Sequence, residues 1–167
     1  MEKKQQKEQP QSFMKKVMGI GIFGGLFWAG VWYFLHIFSF SEVGPNYFIL
    51  PFAFGDWKQG VWGNILGIIV MGVLSLGVAV LYGALFKKFQ GVIPGILYGL
   101  VWWGILFLAV GFLSPVVKHA LEFPRSTLVT TICIFVLYGV FITYSVSYEA
   151  MEENLLRGKK EANYSNK

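Results

Sequence analysis

His36, His119 and Glu122 are the side chains in this sequence best suited by type to bind or sense something. Imidazole nitrogen and carboxylate oxygen are ligands for zinc and similar ions, and histidine is the side chain whose unperturbed titration lies closest to neutral pH. Glu42 and Asp56 join them if the segments that carry them share one side of the molecule. The spacing matches no HExxH, CxxC or comparable ligand pattern. No resident metal is therefore expected, and the three residues stand as candidates for an outer-face site only. Covalent catalysis has less to work with. Cys133, the single cysteine, falls inside an apolar run and reads as a buried, inert thiol, with no second cysteine for an internal disulfide. There is no GxSxG, no phosphate-cradling GxxxxGK[ST], and no acidic pair within an apolar run of the kind an intramembrane protease needs. Gly19, Gly21 and Gly24 nearly spell a nucleotide fingerprint, but on an apolar helix nothing supports that use. The sequence points to no enzyme and no cofactor.

Packing is better provided for. Gly21 with Gly25, Gly63 with Gly67, and Gly95 with Gly99 each form a GxxxG, and Ala29 extends the first by four residues. Small residues four apart lie on one helix face and let two backbones approach. Contacts within the chain are the first expected use, and contact with a second chain the next.

The elements that must carry these residues are set by hydropathy. Of 167 residues 55% are hydrophobic and 14% charged, far from the roughly one quarter charged of soluble domains. The apolar residues are gathered into four blocks at 17–40, 61–86, 92–113 and 127–148. Each is long enough for the about 20 residues that cross the hydrocarbon core, and runs that are long and unalternating exclude a barrel. The expectation is an all-α membrane domain over 17–148, with a disordered head at 1–16 and a helical extension and tail at 149–167. The first block is too long for a signal-peptide core and lacks a small-residue cleavage site, so it reads as a retained anchor.

Charge orients the spans. Five lysines precede the first block, Lys87 and Lys88 sit between the second and third, and Arg157, Lys159, Lys160 and Lys167 follow the fourth, a bias of 11 to 3 over the other two connections. By the positive-inside rule both termini are expected in the cytoplasm of a cell whose plasma membrane holds the chain. "FKKFQGVIPG" then reads as a tight cytoplasmic turn, with the lysines at anionic headgroups and Gly91, Pro94 and Gly95 reversing the chain. The net charge of +5 follows from topology, and nucleic-acid binding is not expected.

Two outer connections remain. The segment 39–60 is too apolar for a freely solvated loop and too short and Pro-broken to span. Its Tyr47, Phe48, Phe52, Phe54 and Trp57 suit a belt at headgroup level, the alternative being a lid over an outward-facing cavity. "LSPVVKHALEFPRS" carries a helix signature, with Ser114 as N-cap, Pro115 at the first helical position and Pro124 as the stop. At the C-terminus, Glu153 and Arg157 form an i,i+4 pair, and Gly158 reads as the helix stop.

The hairpin "FKKFQGVIPGILYGLVWWG", together with four spans, a lysine-rich head and an acidic-then-basic tail, resembles the YqhR family of membrane proteins from Bacillus and related Gram-positive bacteria. The resemblance runs over nearly the whole chain and is most specific at 94–104. It implies a plasma-membrane location and carries over no catalytic residue.

Three functions fit these features. The first is a small membrane accessory or scaffold protein that packs against itself or another membrane protein in the lipid bilayer. The second is an oligomeric transporter or channel for a small solute or ion, with Asn64, Ser75, Tyr98, Thr130, Thr131 and Thr143 lining a neutral route. An outer-face sensor built on His36 and His119 is the third.

Overall fold

The computed structural model of the chain describes residues 13–52, 55–85, 91–113 and 122–165. It contains four long helices, α1 (Phe13–Ile37), α2 (Val61–Leu85), α3 (Val92–Leu113) and α4 (Arg125–Ser165), and two 3-10 turns, Pro45–Phe48 and Asp56–Gln59, in the segment that joins α1 to α2. No strand occurs among the described residues. All four helices are long and apolar enough to cross a membrane. At 1.5 Å per residue α1 and α2, of 25 residues each, run to about 37 Å and cover the hydrocarbon core. With 41 residues, α4 runs to about 60 Å and must project beyond it.

Some ends differ from the sequence reading for local reasons. α1 starts at Phe13, inside the segment read as head. It stops at Ile37 because Ser39 takes a left-handed φ of 61°. The Ser39 N–H then donates to the His36 carbonyl and the Phe40 N–H to the Leu35 carbonyl, both at 3.0 Å, the paired closure of a Schellman cap. At the other end, α4 continues through Gly158 to Ser165, correcting the expected stop. One glycine costs about 1 kcal/mol against alanine, and the Ala, Glu, Leu and Lys residues around it are strong helix formers that outweigh it. The head at 1–12, the turn at 86–90 and the outer segment at 114–121, with the helix expected there, lie outside the described residues.

Neighbouring helices run antiparallel, and glycine decides where they touch. A Cβ at Gly21 would come within 2.8 Å of the Ala79 Cβ, and one at Gly25 would meet Ser75 and Gly72, so α1 lies backbone to backbone on α2. α3 and α4 share a second seam. There a Cβ at Gly95 would sit 2.7 Å from Val140 Cα, one at Gly99 would fall on the Phe135 carbonyl, and Gly139 faces both glycines. In lipid, where apolar surface gains nothing by leaving solvent, such close approach supplies the dispersion contact that holds helices together. Gly63 and Gly67 serve differently: their missing side chains leave room for the Lys58 carbonyl and for Pro45, so they seat the α1–α2 segment and not a helix.

Between α2 and α3 there is no such seam. They meet through side chains, with the Tyr98 hydroxyl donating to the Val78 carbonyl at 2.6 Å and the Tyr82 and Tyr98 rings 5.0 Å apart. Outward-facing residues such as Val73, Ile93 and Phe112 are apolar and exposed, the arrangement that suits lipid as the solvent.

Candidate functional site

A chain of hydroxyls ties three helices together near the middle of the bundle. Ser75 of α2 donates to the Gly21 carbonyl of α1 at 2.6 Å. Having spent its proton there, it accepts from the Tyr138 hydroxyl of α4 at 2.7 Å. Both side chains are buried, where an unmade hydrogen bond is costly, so the chain fixes the rotation of α1, α2 and α4 relative to one another. Toward the loop-bearing end, Trp103 of α3 donates to the Thr131 hydroxyl of α4 at 3.2 Å, and Thr131 donates on to the Thr127 carbonyl at 2.9 Å.

The α1–α2 segment closes that end of the bundle. Tyr47 and Phe48 are buried against Trp32, Phe107 and Phe123, with the Tyr47 and Phe107 rings stacked at 5.2 Å and Trp32 edge-on to Phe48 at 5.7 Å. Polar bonds pin the segment at several points. The Glu42 N–H donates to the Thr127 hydroxyl at 2.9 Å, the Thr130 hydroxyl donates to the Phe40 carbonyl at 3.1 Å, and the Asn64 amide donates to the Gly60 carbonyl at 3.2 Å. Burial pushes the Tyr47 phenol up to about 12, which keeps it neutral in the plug. This corrects the belt reading for Tyr47 and Phe48, which fill the bundle end. Phe52 and Trp57 are exposed as a belt requires, and Phe54 lies outside the described residues.

Beneath the plug, side chains of α1, α2, α3 and α4 line a small cavity of about 20 Å³, on the scale of a water molecule. Trp28 and Trp32 of α1, Ser75 of α2, Trp102 and Leu106 of α3 and Tyr138 of α4 are among its walls. Leu74 lines it while remaining 40% exposed. The indole N–H groups of Trp28 and Trp32 are buried without a hydrogen-bond partner.

The histidines and carboxylates are placed less suggestively. His36 is half-buried and donates from Nδ1 to the Ser41 carbonyl at 2.9 Å, a tautomer set by that bond. Glu122 is exposed, and His119 lies outside the described residues. Among the described residues no three of His, Cys, Asp and Glu approach closely enough to hold a metal ion. Cys133 is exposed on the outer surface of α4, which corrects its reading as a buried thiol. Of the six polar residues that could line a neutral route, only Ser75 reaches the cavity. Thr143 is buried with its hydroxyl unpaired, and Asn64, Tyr98, Thr130 and Thr131 are spent on the bonds above.

Fold and surface together define a polytopic membrane protein whose four spanning helices bury no ionisable pathway among the described residues. Over residues 1–161 the chain matches the family model described as conserved membrane protein YqhR. It is also 41% identical over 150 residues, 90% of this chain and 84% of the other, to a Bacillus subtilis (strain 168) protein named "Uncharacterized protein YqhR". The chain belongs to the YqhR family of membrane proteins. No solved structure matches it.

Proposed function

We propose that the protein is a plasma-membrane accessory or scaffold protein, with both termini in the cytoplasm, that acts by lateral contact between α4 and a helix of another membrane-embedded chain. The observation that carries this reading is a stripe on α4. Tyr144, Tyr148, Met151 and Leu155 recur at intervals of four, three and four residues, and Tyr148 and Leu155 are 62% and 58% exposed. That spacing is the seam by which one helix meets another. Up to Tyr148 lipid is sufficient cover. Glu149, however, pairs with Lys16 at 2.7 Å; we place the edge of the hydrocarbon at this charged pair, which supports the reading because Leu155 lies about 9 Å further along the helix. Apolar side chains left there without lipid or protein cover are unfavourable.

The plug over the loop-bearing end and the commitment of Asn64, Tyr98, Thr130 and Thr131 to internal bonds weigh against a transport path through the bundle. Orientation rests on the lysine bias. In a Cys133→Ser background, Gln59→Cys should react with a membrane-impermeant thiol reagent in intact cells and Asn154→Cys should not; the reverse pattern would invert the topology. The contact itself is tested by introducing charge. Met151→Glu with Leu155→Glu should release a higher-mass species seen on native gels of mildly solubilised membranes while leaving the melting temperature of the purified chain within a few degrees. Unchanged migration would count against α4 as the contact surface, and the identity of the released species separates a second copy from a different protein.

A further inference from the structure

We propose that the chain met by the α4 stripe is a second copy of this protein, the two α4 helices running parallel about a two-fold axis along the membrane normal. The inference rests on the lateral contact proposed above and names its partner. Exposure and register carry it. At about 100° per residue, Tyr144, Tyr148, Met151 and Leu155 fall within a band of about 60° on α4, and all four are more than half exposed, from 53% to 68%. The charged side chains of the same turns lie off that band. Glu149 stands about 130° from its centre and pairs with Lys16 at 2.7 Å, while Glu153 falls about 170° away. Glu152, on the shoulder, is 3.8 Å from Lys16.

Two properties select a copy of the chain itself. The first is length. With the edge of the hydrocarbon placed at the Lys16–Glu149 pair, a partner that covers both Tyr148 and Leu155 must carry a helix that crosses the bilayer and continues straight past it. α4 is such a helix, with 41 residues against 25, 25 and 22 for the other three. The second is self-complementarity. Two copies inserted in one orientation bring α4 to α4 in parallel, and a two-fold contact sets each stripe residue beside its own counterpart. A charge on such a face would meet its like, and the stripe carries none. With Tyr148 and Leu155 at one seam position and Met151 at the other, the flanking pairs across a parallel seam are Ser147 with Glu152 and Asn154 with Lys159. Neither pair opposes like charges. Beyond Leu155 the next seam positions are Gly158 and Ala162. A Cβ at Gly158 would meet nothing within 4 Å, so the chain makes no use of that notch, whereas a second helix can approach closely there.

Disulfide trapping in isolated native membranes tests the proposal, with Met151→Cys, Leu155→Cys or Leu156→Cys introduced singly into a Cys133→Ser background. All three positions are exposed, so none of the substitutions threatens the fold, but Leu156 lies about 100° round the helix from Leu155. Under mild oxidant at least one of Met151→Cys and Leu155→Cys should give a product of twice the chain's mass. Its yield should be at least about fivefold that of Leu156→Cys, because a disulfide needs Cβ atoms within about 4.5 Å of each other. No such product from either stripe position, or an equal yield from Leu156→Cys as random collision would give, would overturn the second copy. In that event benzoylphenylalanine at Leu155 separates the two readings. A photo-product with a different protein leaves the lateral contact standing with another partner, and the absence of any photo-product removes the contact as well.

Discussion

At the scale of single residues, the side chains that organise this protein are neutral hydroxyls and indoles. Ser75 and Tyr138 are the clearest case, a serine and a tyrosine from different helices joined at 2.7 Å and anchored on the Gly21 carbonyl. Hydrogen bonds between membrane helices contribute about 0.6 kcal/mol on average and about 1.7 at most, because the separated helices find other partners in the membrane. Ser75→Ala and Tyr138→Phe should each lower unfolding free energy in detergent by about 0.5–1.5 kcal/mol, and the double variant should lose less than the sum, since the two share one bond. Strict additivity would contradict the shared bond. None of this was legible beforehand. The sequence shows Ser75 and the tyrosines as polar interruptions in apolar runs, but a helix that is apolar all round has no amphipathic face from which a residue's direction can be read. Cys133 failed for the same reason: depth in the membrane was legible and the side it faces was not.

At the scale of elements, the four long helices followed from run length, while the stop of α1 at Ser39 and the continuation of α4 through Gly158 did not. The glycine pairs also pointed to close approach, yet only half of each seam was visible. Gly95 and Gly99 form a GxxxG, whereas Gly139 and Gly72, on the receiving helices, stand outside any such pair. A motif search finds the helix that offers a stripe and misses the one that offers a single notch. Gly99→Leu and Gly139→Leu should separate α3 from α4 and strongly destabilise the fold, because each adds a side chain where backbone already stands. Gly104→Leu, on the same helix α3 with nothing within 4 Å of its Cβ position, should melt within a few degrees of the unaltered protein. Equal effects at Gly99 and Gly104 would mean that the seam is incidental. The segment 39–60 was harder to read, since Tyr47 against Phe107 and Phe52 against lipid are both apolar surroundings. Composition cannot tell an aromatic plug from an aromatic belt.

At the scale of the whole molecule, the family and the bilayer location agree with the chain's hydropathy, and the bundle is closed by aromatic packing at its loop-bearing end. What it offers outward is the surface of its helices, most distinctively the exposed Tyr148, Met151 and Leu155 on α4. The central claim is that this stripe meets protein. Site-specific photo-cross-linking in native membranes tests it most directly, with benzoylphenylalanine placed at Leu155 and, for comparison, at Val73, which is exposed on α2 within the span. The account predicts a discrete higher-mass product from position 155 and only diffuse lipid labelling from position 73. No discrete product at 155, or the same product from both positions, would contradict it.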